Sequence, residues 1–316
     1  MFGLIKKTIL MLGVLAVNAI NPFPIFDRIT YTSTQTSTPT STSTSTSTST
    51  LTTTYTSYEN LPIVVLHGLE SSSQEMVPFC EWLGDTFNAT VYNMEIGDGK
   101  KTSMYTSLND QLDELCNSIY NIDHLNAGFH FIGISQGGLL ARGYVEQCNL
   151  YPVKNLITLV APHGGIYFKH AKNSRSMYND FFQNNLAIAG YWRNPTMLDD
   201  YLTSCSFLPA LNNEFWCDIE SPIYRNNIRN LSNFIMIWSP MDLVLHPAES
   251  GKFSFYDADL NVLPLEKTDL YQNDDLGLKY LDNRGRLHMY ETNCSHVDHR
   301  NPVCFAQLYD ILQCFL

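Results

Sequence analysis

The sequence predicts an α/β domain, a mostly parallel sheet flanked by helices. Three observations predict it: short continuous apolar runs of strand length, apolar residues at helical spacing between them, and a serine set between glycines where one such run gives way to a helix. Leu61–Leu66 (LPIVVL) is the first run, uninterrupted as a strand covered on both faces should be, and it ends at His67-Gly68. Leu108, Leu112, Leu115 and Ile119 then recur at i, i+4, i+7 and i+11, one apolar face of a helix. Phe129–Ile134 (FHFIGI) is the second strand, and Leu139–Cys148, with no proline and one glycine, reads as the helix after it. Asn155–Val160 is the third strand. Residues 167–231, rich in Asn, Tyr, Phe and Trp and weakly periodic, break the alternation and read as a helical or irregular insertion. Asn233–Trp238 is the fourth strand and Arg286–Glu291 the last. Phe305, Leu308, Ile311, Leu312 and Phe315 give an amphipathic C-terminal helix after Pro302.

The front of the chain stands apart from this pattern. Lys6 and Lys7 precede the apolar stretch Thr8–Val17, and Val17-Asn18-Ala19 offers a small-residue exit. Residues 1–19 are therefore expected to be a secretory signal peptide; the alternative, an uncleaved anchor, needs about 20 apolar residues. Residues 20–57 are expected to be a disordered stalk, because 22 of the 27 residues from Tyr31 to Ser57 are Ser or Thr and cannot bury enough apolar surface to offset the entropy of ordering. The stalk is either an O-glycosylated spacer or a repeat expansion with no role beyond spacing. Residues 58–316, 259 in all, suffice for one large domain. They carry 30 acidic against 16 basic side chains, a net charge of −14. That balance excludes a nucleic-acid partner and charge-driven docking on anionic lipid. No stable membrane insertion is expected once the signal is removed, and composition leaves the oligomeric state open. All eight cysteines lie between Cys80 and Cys314. An even count behind a signal peptide favours disulfides, and sequons at Asn88, Asn230 and Asn293 fit glycosylation in the same secretory pathway.

The chemistry is carried by Gly133-Ile134-Ser135-Gln136-Gly137, a G-x-S-x-G turn between a buried strand and a helix. Such a turn crowds the backbone, leaves Ser135 exposed above the sheet edge, and aims a helix N-terminus at developing negative charge. A serine nucleophile needs a base, and the base an orienting acid, in chain order Ser, acid, His. Asp242, just past the fourth strand in Ser239-Pro240-Met241-Asp242, is the expected acid. Of the later histidines, His246 is only four residues past Asp242 and precedes a proline, and His288 falls inside the last strand. His296 sits between that strand and the final helix and is the expected base, with His299 next. A metal site of Cys294, His296 and His299 is the lesser reading, since a cysteine in an oxidising compartment serves better in a disulfide. No cofactor is called for. The backbone amides of Gln136 and Leu69 are the expected oxyanion donors.

With these residues assembled, the chain resembles the palmitoyl-protein thioesterases, lysosomal α/β-hydrolases that remove fatty acyl groups from cysteine thioesters. The resemblance runs from about Leu61 to Leu316 and is carried by VVLHGL (64–69), GISQGGLLAR (133–142), YWRNP (191–195), SPMDLVLHP (239–247), FSFYDA (253–258) and LYQNDDLGLK (270–279). It implies an α/β-hydrolase fold with the insertion over the active site, and the roles of nucleophile, acid and base for Ser135, Asp242 and His296. It also implies a disulfide between Cys116 and Cys148. YWRNP, Cys205 with Cys217, and the late pair Cys294 and Cys314 look closer to the family's second type, associated with less bulky acyl thioesters including acyl-CoA. The stretch LGLKYLDNRGRL looks closer to the first type. The implied substrate is a long-chain fatty-acyl thioester, on a protein, a peptide or CoA, and the implied location is the lysosome or the extracellular space. An acyl chain needs a concave apolar site. Tyr167, Phe168, Phe181, Phe182, Tyr191 and Trp192 either line it or pack the insertion onto the sheet. Two other readings use the same residues: a secreted lipase or carboxylesterase acting on oxygen esters, and a stalked glycoprotein that binds without turnover.

Overall fold

The computed structural model describes residues 61–169, 171, 174–214 and 221–316. The expected signal peptide and stalk, and Cys217, lie outside the described residues. Six strands form one sheet: β1 (Ile63–Leu66), β2 (Val91–Met94), β3 (Phe129–Ile134), β4 (Val153–Leu159), β5 (Asn233–Trp238) and β6 (Leu287–Glu291). Their spatial order is β2-β1-β3-β4-β5-β6, with every neighbouring pair parallel. The strands β1 and β3 are buried along their whole length, which is why they read as unbroken apolar runs. The edge strand β2 (VYNM) buries only Met94 and has no such run.

The strand order reverses at β1: the chain leaves β1 for β2 on one side and returns to β3 on the other. The loops after β1 and β3 therefore part, and a crevice opens at the carboxyl ends of these two strands, where α/β sheets place their ligands. His67-Gly68-Leu69 follows β1, and Ser135 follows β3.

Helix α1 (Ser73–Phe87) packs Met76, Phe79, Cys80 and Leu83 inward. Helix α2 (Leu108–Tyr120) buries the expected face, Leu108, Leu112, Leu115 and Ile119, and is capped by Ser107, whose hydroxyl accepts from the Asp110 amide at 3.2 Å. The helix after Ser135 is in two parts. Helix α3 (Gln136–Gly143) is buried at all eight positions, and a wider π turn, Tyr144–Cys148, follows it. Cys148 bonds Cys116 near the end of α2, the pairing that the family resemblance implies.

Between β4 and β5 lies the expected insertion, made of short helical turns ending in α4 (Ser221–Asn230). It is fixed from inside by buried Tyr201 and Trp192 and by Arg193, which reaches Glu214 at 2.5 Å and the Tyr201 hydroxyl at 2.9 Å. Burial opposes the charge on Arg193, but Glu214 and Tyr201 outweigh it and raise its pKa. Helix α5 (Pro302–Leu312) closes the domain.

One cysteine pairing departs from expectation. Cys294 bonds Cys304, not Cys314. Cys304 is buried in the first turn of α5, whereas Cys314 lies two residues past the end of that helix and is exposed. Cys205 is buried with its sulfur 3.3 Å from the Gly190 carbonyl, and the expected bridge to Cys217 falls outside the described residues. Replacing Cys116 and Cys148 together with serine is expected to lower unfolding free energy by about 3–4 kcal/mol, since the bridge closes a loop of 32 residues. Urea denaturation would read the loss, and an unchanged midpoint would refute it. Peptide mapping without reductant should recover Cys294 with Cys304.

Candidate active site

Ser135 sits on a sharp turn with φ 54° and ψ −126°, a region that a residue with a Cβ adopts only when its surroundings force it. Its amide donates to the Leu159 carbonyl at 2.8 Å, which ties the turn to β4. Beside it, a Cβ on Gly68 would stand 2.9 Å from the Ser135 Cβ, so the loop after β1 can pass this close only as glycine. The result is a serine lifted above the crevice at the N-terminus of α3.

Three elements converge on its hydroxyl. His296, in the loop between β6 and α5, brings Nε2 to 2.9 Å from Ser135 Oγ. Its Nδ1 is 2.6 Å from Asp242 Oδ2. Asp242 is itself held by its own loop, Oδ1 accepting from the amides of Val244 at 2.8 Å and Leu245 at 3.0 Å. The carboxylate can only accept, so the Nδ1 proton belongs to His296, and Nε2 offers its lone pair to the serine hydroxyl. Asp242 and His296 are both buried, which keeps the pair out of competition with water.

The other histidines are occupied elsewhere. His299 is buried, bonded to the Thr292 hydroxyl at 2.8 Å and donating from Nδ1 to the Ser295 carbonyl at 2.9 Å. Burial lowers its pKa, and it braces the turn that carries His296. His288 lies in β6 and bonds Asn233, and His246 packs against Phe168. Cys294 is spent in its disulfide, which removes it from the metal reading.

Above Ser135 and His296 lies a cavity of about 310 Å³, within the range of small-molecule sites. Its walls are mostly apolar, with Ile134, Ile166, Phe168, Ile188, Tyr191 and Leu245 contributing and Glu70, Ser71 and Arg300 at its border. Of the aromatics singled out in the insertion, only Phe168 and Tyr191 are among its walls. Tyr167 and Trp192 pack edge to face in the interior, and Phe181 is exposed beside Phe182. The aliphatic walls carry no signal in the sequence, because an isoleucine lining a cavity looks like one filling a core. Gln136 is buried, its side chain donating to the Ser103 carbonyl at 2.9 Å and accepting from the Tyr191 hydroxyl at 3.2 Å. Leu69 borders the cavity beside Gly68. Asn88, Asn230 and Asn293 are all exposed, as a glycosylated asparagine must be.

A hydroxyl, an imidazole and a carboxylate in series, under an apolar cavity at the carboxyl edge of a parallel sheet, can carry out acyl transfer through a covalent ester. The sheet order and the strand–serine–helix turn are those of an α/β-hydrolase. Comparison with known proteins agrees. The family model described as palmitoyl protein thioesterase matches residues 62–296. Palmitoyl-protein thioesterase 3 of Dictyostelium discoideum is 33% identical over 249 residues, which cover 75% of this chain and 86% of the relative. Lysosomal thioesterase PPT2 of Mus musculus is 30% identical over 240 residues, covering 72% of this chain and 78% of the relative. Palmitoyl-protein thioesterase 1 of Caenorhabditis elegans is 30% identical over 208 residues, covering 61% and 69%. The matched segment begins at the strand before Gly68 and ends at the histidine beside Ser135, and with it the chain belongs to the palmitoyl protein thioesterase family.

Proposed function

We propose that this chain is a serine thioester hydrolase that removes long-chain fatty acyl groups from S-acylated cysteines of proteins or peptides, or from acyl-CoA. The observation that carries the reading is the continuous path Asp242–His296–Ser135 beneath an apolar cavity. Ser135 Oγ attacks the thioester carbonyl carbon as His296 Nε2 takes its proton, and Asp242 stabilises the imidazolium that forms. The amides of Gln136 and Leu69 receive the oxyanion. The C–S bond breaks, the proton passes from His296 to the leaving sulfur, and the acyl group stays on Ser135. Water, deprotonated by His296, then releases the fatty acid. Thiolate leaves more readily than alkoxide or amine, so acylation asks little of the general acid.

The acyl chain would lie in the 310 Å³ cavity against Ile166, Ile188 and Phe168. No helix among the described residues is long and apolar enough to cross a membrane. Disulfides, exposed sequons and relatives named as lysosomal thioesterases support a place in the secretory pathway, in the lysosome or outside the cell, with N-linked sugars on Asn88, Asn230 and Asn293. The test is turnover of an acyl-thio substrate against its oxygen isostere, together with a ladder of acyl-CoAs and one S-acylated peptide. A thioester should be preferred by about tenfold or more in kcat/KM, about 1.4 kcal/mol of transition-state stabilisation. A clear preference for the oxygen ester would make the enzyme a lipase or carboxylesterase with the same three residues.

A further inference from the structure

The loop carrying Gly68 and Leu69 has no regular structure of its own, yet it must hold an amide within a fraction of an ångström of a developing charge. What fixes it is the segment after β2. Glu95 directs Oε2 at the amide of Ser73, 2.7 Å away, and at the Ser73 hydroxyl, so the carboxylate is pinned to the first residue of α1. Its Oε1 lies 3.1 Å from Nε2 of buried His67. The other ring nitrogen, Nδ1, is 2.9 Å from the Gly68 carbonyl. A carbonyl only accepts, so Nδ1 carries a proton, while Nε2 and Oε1, both buried and without any hydrogen-bond partner, face each other at 3.1 Å. Gly99, with φ +65°, makes room for this contact, since a Cβ there would fall 1.8 Å from Glu95 Oε1.

Eight residues on, Ser103 holds the other side. Its hydroxyl accepts from the Glu70 amide at 3.0 Å, and its carbonyl accepts from the Gln136 side chain at 2.9 Å. Leu69 thus lies between two anchored residues, His67 and Glu70, and the same segment that anchors them also fixes Gln136. We propose that Glu95 and Ser103 are positioning residues that set the two oxyanion amides, a role that rests on the reading of Leu69 and Gln136 as the oxyanion donors. Neither side chain touches the reacting atoms. Glu95 acts through His67, and the Ser103 hydroxyl acts through the Glu70 amide, while its contact to Gln136 runs through the backbone carbonyl and survives in Ser103→Ala.

The test uses the full-length protein, an activated oxygen ester of a medium-chain acid, the matching thioester, and a trifluoromethyl ketone of the same chain length that Ser135 converts to an oxyanion adduct. Glu95→Ala and Ser103→Ala should each lower kcat by about 10- to 100-fold with KM within about twofold. The inhibition constant of the ketone should rise by the factor lost from kcat/KM, as it does when transition-state binding alone is impaired. Glu95→Gln should recover kcat to within about threefold of wild type, because its amide oxygen still accepts from Ser73 and its NH₂ donates to a neutral His67. Folded Glu95→Ala and Ser103→Ala proteins whose kcat and ketone inhibition stay within twofold of wild type would overturn the assignment. So would losses confined to KM. Should Glu95→Ala not fold, Ser103→Ala decides by the same two measurements. The oxygen ester reports on the amides whatever the natural leaving group, so failure here and failure of the thioester reading are separate results.

Discussion

Ser135→Ala is expected to lower thioester turnover by about 10⁴- to 10⁶-fold and to abolish labelling by a fluorophosphonate probe. No other hydroxyl is described within bonding distance of His296, so nothing else can take up the acyl group there. His296→Ala should lose a comparable factor, because Ser135 Oγ would face no base. Asp242→Asn should cost about 10⁴-fold for a different reason. Its NH₂ would donate to Nδ1, move the ring proton to Nε2, and point a donor at a hydroxyl that needs an acceptor. His299→Ala should retain most activity, since that ring contacts Thr292 and Ser295 and not the serine. Labelling that survives in His296→Ala and vanishes in His299→Ala would transfer the base to His299. Absent labelling of the wild type would return the chain to a binding role.

The sequence carried most of the sheet because burial writes itself into composition. Strands β1, β3, β5 and the second half of β4 are covered on both faces, and a near-continuous apolar run is what that requires. Strand β2 sits at the edge with one buried residue, so VYNM left no pattern to read. The face Met76, Phe79, Cys80 and Leu83 of α1 does follow helical spacing, but Pro78 interrupts the stretch and hid it. Two of the three residues at the site were legible from local context, Ser135 from the strand–turn–helix setting and Asp242 from its place past a strand end. Choosing His296 over His299 rested on loop position, and what separates them is the direction of one 3-10 turn, Val297–Arg300. For the late disulfide the resemblance implies Cys294 with Cys314, and the structure pairs Cys294 with Cys304 instead. Cys304 and Cys314 lie on one short segment, and only the start of α5 at Pro302 decides which of them faces Cys294. Glu95 and His67 were equally silent, because they meet through the sheet and not along the chain.

A large effect on folding is expected at Gly137. Helix α3 runs against the end of β1 so closely that a Cβ at this position would sit 2.3 Å from the His67 carbonyl oxygen and 2.5 Å from that of Leu66. Both are backbone atoms, Leu66 at the buried end of a strand bonded to β2 and β3 and His67 directly after it, so neither can yield as easily as a side-chain tip could. Gly137→Ala must therefore push α3 off the sheet or push the His67–Leu69 loop outward, a strain of several kcal/mol on the scale of severe overpacking. Either movement also separates Ser135 from the Leu69 amide. The variant is expected to be recovered in low yield, to melt well below wild type, and to lose at least about 10²-fold in kcat in whatever fraction folds. Gly84 provides the control. It lies in α1, where a Cβ would be 3.5 Å from the Ala89 carbonyl oxygen and 3.7 Å from a Val91 methyl, both ordinary contacts. Gly84→Ala should leave turnover intact and raise stability by about 0.5–1 kcal/mol, the helix preference of alanine over glycine. Thermal melting and kcat measured on both variants check the pair, and a Gly137→Ala protein that melts and turns over like wild type would show that α3 is not held against β1 as closely as this geometry requires.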